Sequence, residues 1–224
     1  MPRHTSDTEK TFCISMQRTG TSSVGRFFRD FGLRWAGWPS DARNGWTSAW
    51  YDGDFERIFS SPEFVAANAF EDSPWWMPDF YKVLYHRFPG ARFILLTRDP
   101  ESWFRSMVAH SDGHVIGDNR IHSKIYRREL EFFRLLERDP LADDEELPYD
   151  SPHRMKLLDM EEHYRSIYEL HATEVIDFFR RRSPESLFTG RLEDSAVWQA
   201  LGAFLGFEVP EGYRSHQNVS RPRA

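Results

Sequence analysis

The chain has 224 residues, a formal net charge of −6, 40% hydrophobic residues and a single cysteine. This length is sufficient for one sizeable hydrophobic core, and the negative charge gives no general electrostatic case for binding nucleic acid or an anionic membrane. One cysteine excludes an intramolecular disulfide framework and a cysteine-ligated metal site. The spacings of His, Asp and Glu indicate no metal site either.

The first ten residues are polar and lack the hydrophobic core of a signal peptide. No apolar segment approaches the roughly 20 residues that a membrane span needs. We therefore expect a cytoplasmic protein without a membrane or nucleic-acid partner, and no pattern indicates its oligomeric state. The expected organisation is a disordered lead-in over 1–10, one domain over 11–210 and an irregular tail over 211–224.

Apolar runs of strand length alternate with helical patterns along the chain. The runs that predict strands are 11–16, 63–70, 91–98 and 186–190. The patterns that predict helices cover 22–31, 54–60, 74–88, 100–109, 124–138, 155–182 and 194–206. This alternation predicts a single α/β domain with a mainly parallel sheet flanked by helices on both faces.

The stretch QRTGTSS follows the first predicted strand and opens the first predicted helix. Gly20 allows close backbone approach, the hydroxyls after it can donate to phosphate oxygens, and Arg18 adds a fixed positive charge. The stretch differs from the loop of nucleotide triphosphatases because no lysine follows the glycine. It predicts a phosphate cradle made of Gln17, Arg18, Thr19, Gly20, Thr21, Ser22 and Ser23. The alternative is an ordinary strand–turn–helix in which Ser22 or Ser23 is the N-cap.

A second pattern, LLTRDPESWFRSM, places Arg98 at the carboxyl end of a buried strand and Ser106 eight residues later on a helix. An arginine and a hydroxyl that converge at the ligand edge of the sheet suit a second phosphate. The alternative is a salt bridge of Arg98 beside surface serines.

QRTGTSS followed some 80 residues later by R-x₇-S resembles the sulfotransferases that use 3′-phosphoadenosine 5′-phosphosulfate. The resemblance implies a P-loop-like fold in which the first loop binds the 5′-phosphosulfate, while Arg98 and Ser106 bind the 3′-phosphate. It also implies that no metal is needed. The resemblance covers about residues 11–210. Over 70–107, 163–179 and 187–210 the sequence resembles the bacterial branch of the family.

Some positions depart from the family pattern. Gln17 stands where proline is common, and Arg18 stands where many members have lysine. Arginine keeps the positive charge of lysine but cannot donate a proton as lysine can. The glycine-rich, lysine-containing loop near the C-terminus of animal cytosolic members is missing. Arg214 or Arg221 in the tail could replace its nucleotide contacts.

The reaction that the resemblance implies is in-line transfer of a sulfuryl group to a hydroxyl or amine of a small acceptor, leaving adenosine 3′,5′-bisphosphate. Arg18 is the expected catalytic residue that stabilises charge on the leaving oxygen. Many cytosolic members use a histidine base after the second strand, but the matching stretch here offers carboxylates. Asp72 is the first candidate for the general base and Glu71 the second. The alternative is that Asp72 caps the helix predicted at Pro74.

Six of the eight tryptophans lie between residues 35 and 76. They form either part of the core or an apolar acceptor pocket. Two other functions remain open at this point. One is a phosphotransferase or nucleoside triphosphatase with a modified loop, and the other is a non-catalytic nucleotide-binding module.

Overall fold

The computed structural model describes residues 9–115, 119–144, 146–148 and 150–215. The described residues divide into two compact units, of which the first comprises 9–98 with 172–215 and the second comprises the described part of 99–171. The domain limits expected at residues 11 and 210 stay a prediction.

The first unit contains a five-stranded sheet with the strand order β2-β3-β1-β4-β5. Its strands are β1 (Thr11–Cys13), β2 (Trp35–Ala36), β3 (Ala69–Phe70), β4 (Arg92–Thr97) and β5 (Leu187–Arg191). Every pairing between neighbouring strands is parallel. The predicted α/β fold with a parallel sheet is therefore confirmed.

The described residues form helices between and after these strands. In chain order they are α1 (Thr21–Asp30), α2 (Trp38–Asn44), α3 (Trp46–Asp52), α4 (Phe55–Phe59), α5 (Pro62–Ala66), α6 (Phe80–Arg87), α7 (Pro100–Ser111), α8 (Asn119–Ile125), α9 (Glu129–Leu136), α10 (Glu161–Arg182) and α11 (Val197–Leu205). Short 3₁₀ turns lie at Pro140–Asp143 and Pro184–Ser186.

Helices cover both faces of the sheet within the first unit. One face packs against α1 and α11 through a cluster that includes Cys13, Val24, Phe27, Phe28, Ile94, Leu96, Trp198 and Leu201. On the other face, rings of the sheet contact rings from α5, the segment before α6 and the end of α10, among them Phe12, Phe64, Phe70, Trp75, Phe93 and Phe179. Because both faces are covered, β4 is apolar on consecutive positions, as its sequence indicated.

Several predicted elements differ in the structure. The helix predicted from Pro74 begins only at Phe80, because Asp79 directly before it has a left-handed backbone, with φ 61°, that a right-handed helix cannot include. The strand predicted over 63–70 is reduced to Ala69–Phe70, because Pro62 at a helix N1 position opens α5.

The second unit is mainly helical in its described part. It contains α7, α8, α9 and the first residues of α10, so the helix predicted over 124–138 is two helices and the loop predicted over 110–123 is partly helical. Its interior includes a stacked pair, Trp103 and Tyr168, with ring centroids 4.4 Å apart. The buried guanidinium of Arg128 donates to the Tyr164 hydroxyl at 2.8 Å and to the Lys156 carbonyl at 2.7 Å. None of the helices described in either unit is both long and apolar enough to cross a membrane.

Candidate active site

The carboxyl ends of parallel strands meet at one edge of a sheet, where ligands of open α/β folds bind. In the first unit, β1 leads into the turn 14–20, β3 into Glu71 and Asp72, and β4 into Arg98. The strand order places the end of β1 between the ends of β3 and β4. The candidate carboxylates after β3 and the candidate arginines after β1 and β4 thus come from the ends of adjacent strands.

Hydrogen bonds join the turn after β1 to β4 and also close the turn internally. The Ser15 hydroxyl accepts a hydrogen bond from the Leu96 N–H at 2.7 Å and donates to the Ile94 carbonyl at 3.3 Å. Thr19 is fully buried, and its hydroxyl donates to the Met16 carbonyl at 2.5 Å. Thr19 therefore shapes the turn, while its predicted contact with a phosphate stays a prediction.

Gly20 is the N-cap of α1 and has a left-handed backbone, with φ 89°. A Cβ at this position would lie 2.7 Å from Leu192 Cδ1, so glycine is required by both conformation and space. The helix begins at Thr21, and its N-cap residue, Gly20, has no side chain that could cap it. The interpretation of Ser22 or Ser23 as an ordinary N-cap is therefore wrong. The first N–H groups of the helix keep the electrostatic character of an anion site.

Arg18 and Arg98 lie side by side at the ends of β1 and β4. The Arg98 Nη1 donates to the Arg18 carbonyl at 3.2 Å. Burial and the positive charge of Arg98 lower the pKa of Arg18, and the charge of Asp72 opposes this. Two guanidinium groups that are partly buried next to each other favour a bound anion, because an anion offsets both the desolvation and the repulsion.

Asp72 is half-buried at the end of β3 and has a left-handed backbone with φ 69°. Its Oδ1 accepts a hydrogen bond from the Ser73 N–H at 2.9 Å. Burial raises the pKa of Asp72, and the Ser73 N–H, Trp76 and Arg18 oppose that shift. The alternative role as a helix cap is wrong, because α6 begins at Phe80 after Asp79. A carboxylate of raised basicity in a cleft of charged groups suits a general base.

Glu71, the second candidate base, is only 4% exposed. Its Oε1 accepts a hydrogen bond from the Trp35 indole N–H at 3.2 Å. Burial and the charge of Asp72 raise the pKa of Glu71. The side chain is enclosed by α1 and the end of β2, since a Cβ added at Gly25 would lie 2.7 Å from Oε1 and one at Gly37 closer still.

Asp41 on α2 is a third acidic residue of this region, and sequence reasoning missed it. It is buried and accepts hydrogen bonds from the Thr47 N–H at 2.7 Å and the Thr47 hydroxyl at 2.6 Å. Burial raises the pKa of Asp41 to about 6, with a contribution from the charge of Asp72. No spacing in the sequence signals this residue, because its partner Thr47 lies on the next helix.

The other predicted site residues have the following places. Gln17 is partly exposed in the turn, and Thr21 and Ser23 are buried in the first turn of α1. Ser106 lies on α7 in the second unit, so its pairing with Arg98 stays a prediction. Arg214 donates to the Tyr213 carbonyl at 2.9 Å, and Arg221 lies outside the described residues.

Most tryptophans of the region 35–76 belong to the core rather than to a pocket. The buried ones are Trp46, Trp50, Trp75 and Trp76. Trp38, at the start of α2, differs from them because 61% of it is exposed. The one cysteine, Cys13, is buried. In the described part of the chain no cluster of three or more His, Cys, Asp or Glu side chains could hold a metal ion.

Comparison with known proteins gives one informative result. A family model described as a sulfotransferase domain matches residues 10–221. The match spans the turn after β1, the acidic pair after β3 and Arg98. A comparison with curated proteins found no match.

Proposed function

The chain belongs to the sulfotransferase family, and we propose that its sulfuryl donor is 3′-phosphoadenosine 5′-phosphosulfate and its acceptor a hydroxyl or amine on a small, partly apolar molecule. The observation that supports this proposal best is the contact of Arg98 with the Arg18 backbone beside the N-terminus of α1. These groups form a cationic region suited to a phosphorylated nucleotide.

Arg18 and the first N–H groups of α1 would hold the 5′-phosphosulfate, and Arg98 would hold the 3′-phosphate. Negative charge grows on the oxygen between sulfur and the 5′-phosphate as the sulfur–oxygen bond breaks. Arg18 is the group that stabilises this charge, and preorganised donors of this kind typically contribute roughly 10²–10³ in rate. We expect no requirement for Mg²⁺, because a sulfuryl group has less charge than a phosphoryl group.

Asp72 is the group that we assign as general base. It would take the proton from the acceptor hydroxyl while the acceptor oxygen bonds to sulfur on the side opposite the leaving oxygen. The charge of Arg18 lowers the pKa of Asp72, which supports a base and a stabilising cation that act at one site. Such an arrangement acts mainly by positioning and electrostatics.

The acceptor is expected on the side of Asp72 away from Arg98. Along the sheet edge, the end of β2 follows the end of β3 in that direction, and it leads through Gly37 to the exposed Trp38. An exposed indole beyond the base suits an acceptor with an apolar or aromatic body. A cytoplasmic location, without membrane or nucleic-acid partners, completes the proposal.

The test is a thermal-shift comparison of adenosine 3′,5′-bisphosphate with ATP and Mg²⁺, each measured with and without a chelator. We expect stabilisation by the bisphosphate that is unaffected by the chelator. Stabilisation by ATP and Mg²⁺ alone would instead support a phosphotransferase or nucleoside triphosphatase. If the bisphosphate binds but no acceptor from a panel of phenols, alcohols and amines is sulfated, the non-catalytic nucleotide-binding module is favoured.

A further inference from the structure

Glu71 is a buried carboxyl group that the proposed reaction does not use. Its Oε1 has one donor, the Trp35 indole, and its Oε2 is buried without a hydrogen-bond partner among the residues that the structure describes. A buried carboxylate anion with an unsatisfied oxygen is costly, whereas the uncharged acid is much less so. The contacts of Glu71 therefore favour its protonated form.

Two glycines make room for this side chain. Gly25 lies in α1, and Gly37 follows β2; a Cβ on either would collide with Glu71 Oε1. Neither glycine has a left-handed backbone, so close approach rather than conformation is the reason for glycine at both positions. Glu71, which follows β3 directly before Asp72, thus fills the space between α1 and the end of β2.

The charged and titratable groups around Glu71 do not supply a partner for an anion. Asp72 is its neighbour in the chain, and the buried Cys13 thiol has its pKa raised by burial, with contributions from the charges of Glu71 and Asp72. The positive charge of Arg29 lowers the pKa of Glu71 from a distance. The Arg29 guanidinium itself lies 4.5 Å from the centroid of the Trp35 ring. The charge of Arg18 lowers the pKa of Asp72, and the charge of Asp72 in turn raises that of Asp41.

We propose that Glu71 is a positioning residue held as the uncharged acid, and that it fixes Asp72 relative to the first turns of α1. The single negative charge of the pair then lies on Asp72, which has Arg18 and the Ser73 N–H to stabilise it. The interpretation of Asp72 as the base and the use of adenosine 3′,5′-bisphosphate to probe the positioning role rest on the proposed function, whereas the uncharged state of Glu71 does not.

The first test is the pH dependence of the melting temperature of E71Q and wild type. A carboxyl group with a folded-state pKa above its unfolded value contributes stability that is full below the unfolded pKa, about 4.3 for Glu, and is lost as pH rises through the folded pKa. Wild type is therefore expected to lose up to about 3 °C per pH unit relative to E71Q above pH 5. E56Q is the matched control, because Glu56 is exposed beside Arg87.

The second test is binding of adenosine 3′,5′-bisphosphate by calorimetry. E71Q keeps the shape of the side chain, and we expect its affinity to remain within about threefold of wild type, while E71A, which leaves a cavity beside α1, loses about tenfold or more. Equal pH slopes for E71Q and wild type would overturn the uncharged state. Equal affinities of E71A and wild type would overturn the positioning role.

These outcomes are distinct from failure of the proposed function. If wild type itself does not bind the bisphosphate, the nucleotide assignment fails, and the pH slopes still decide the state of Glu71. If E71Q binds the bisphosphate like wild type but its turnover with the best acceptor of the panel falls 100-fold, Glu71 is the base and the proposal is wrong.

Discussion

The carboxyl edge of the sheet in the first unit has a cationic half and an acidic half. Arg18 and Arg98 follow β1 and β4, whereas Glu71 and Asp72 follow β3 and Asp41 lies on the helix after β2. Burial disfavours the charged form in both halves, but the consequences differ. A guanidinium keeps its proton under all working conditions, so the cationic half continues to favour an anion. A carboxyl group can become neutral, so the charge of the acidic half depends on pH.

The two halves also share a feature of the backbone. Arg18 and Asp72 both have a left-handed conformation, with φ 66° and 69°. Non-glycine residues rarely adopt this region, and such conformations cluster at functional sites where the surrounding structure maintains them. The comparison therefore predicts that loss of charge in the cationic half alters nucleotide binding and rate, whereas loss of charge in the acidic half alters rate and its pH dependence.

The largest effect is expected for Arg18→Ala. Loss of the guanidinium removes charge stabilisation in the transition state, so turnover should fall about 10²–10³-fold, and affinity for adenosine 3′,5′-bisphosphate should fall roughly tenfold or more. The measurements are initial rates with the best acceptor and calorimetry with the bisphosphate. Arg26→Ala is the matched control, since Arg26 lies on α1 in an exposed ion pair with Asp30. A variant with normal rate and affinity would contradict the assignment of the cationic half.

Asp72→Asn should lower turnover about 100-fold with little change in bisphosphate affinity, because the amide cannot accept the proton of the acceptor. Steady-state kinetics and calorimetry separate the two quantities. Asp79→Asn serves as control, since Asp79 also has a left-handed backbone but is exposed and pairs with Lys82. Undiminished turnover in Asp72→Asn would remove Asp72 as the base.

Gly20→Ala tests the geometry of the phosphate turn. The substitution places a methyl group against Leu192 on a left-handed backbone, so we expect a loss of about 1–3 kcal/mol in unfolding free energy and weaker bisphosphate binding. Gly32→Ala has the same left-handed strain, with φ 73°, but no atom within 4 Å of the new methyl group. Chemical denaturation of both variants separates strain from collision. Identical losses in the two would show that the contact with Leu192 is unimportant.

The smallest effect is expected for Asp41→Asn. Because the folded-state pKa of Asp41 is raised to about 6, wild type should lose stability as pH rises from the unfolded pKa, about 3.9, to the folded pKa. The asparagine cannot ionise and should remove that loss. Removal of a like charge near Asp72 should also shift the acid limb of the turnover profile to lower pH. Melting curves and rates across pH 5–8 measure both effects. An unchanged acid limb would mean that Asp41 and Asp72 are not coupled.

The strand–turn–helix at the end of β1 could be predicted from sequence because its signals are local, while its binding of phosphate stays a prediction. A short apolar run, a glycine among hydroxyls and an arginine occur within 13 residues, from Thr11 to Ser23. The same locality explains the errors. Strand β2 has two residues and too little pattern to recognise. The hydroxyls of Ser22 and Ser23 favour an N-cap at one of these residues, but Gly20 is the N-cap in the structure.

The roles of the residues in the acidic half could not be predicted from local sequence pattern. Both candidate bases, Asp72 as the first and Glu71 as the second, are carboxyl groups that follow the same strand. Their different surroundings in the structure separate their roles. Asp72 is half-buried and coupled to Arg18, whereas Glu71 is enclosed by Gly25, Gly37 and Trp35, residues that lie more than 30 positions away in the chain.

By itself, the sequence determined the alternation of strands and helices, the order of the anion-binding residues and the resemblance to sulfotransferases, because these follow from hydrophobic period and short-range turn chemistry. Tertiary structure alone decided which carboxyl group is enclosed, which tryptophan is exposed and where α6 begins. Burial, desolvation and charge coupling depend on residues distant in the chain, so no local pattern encodes them.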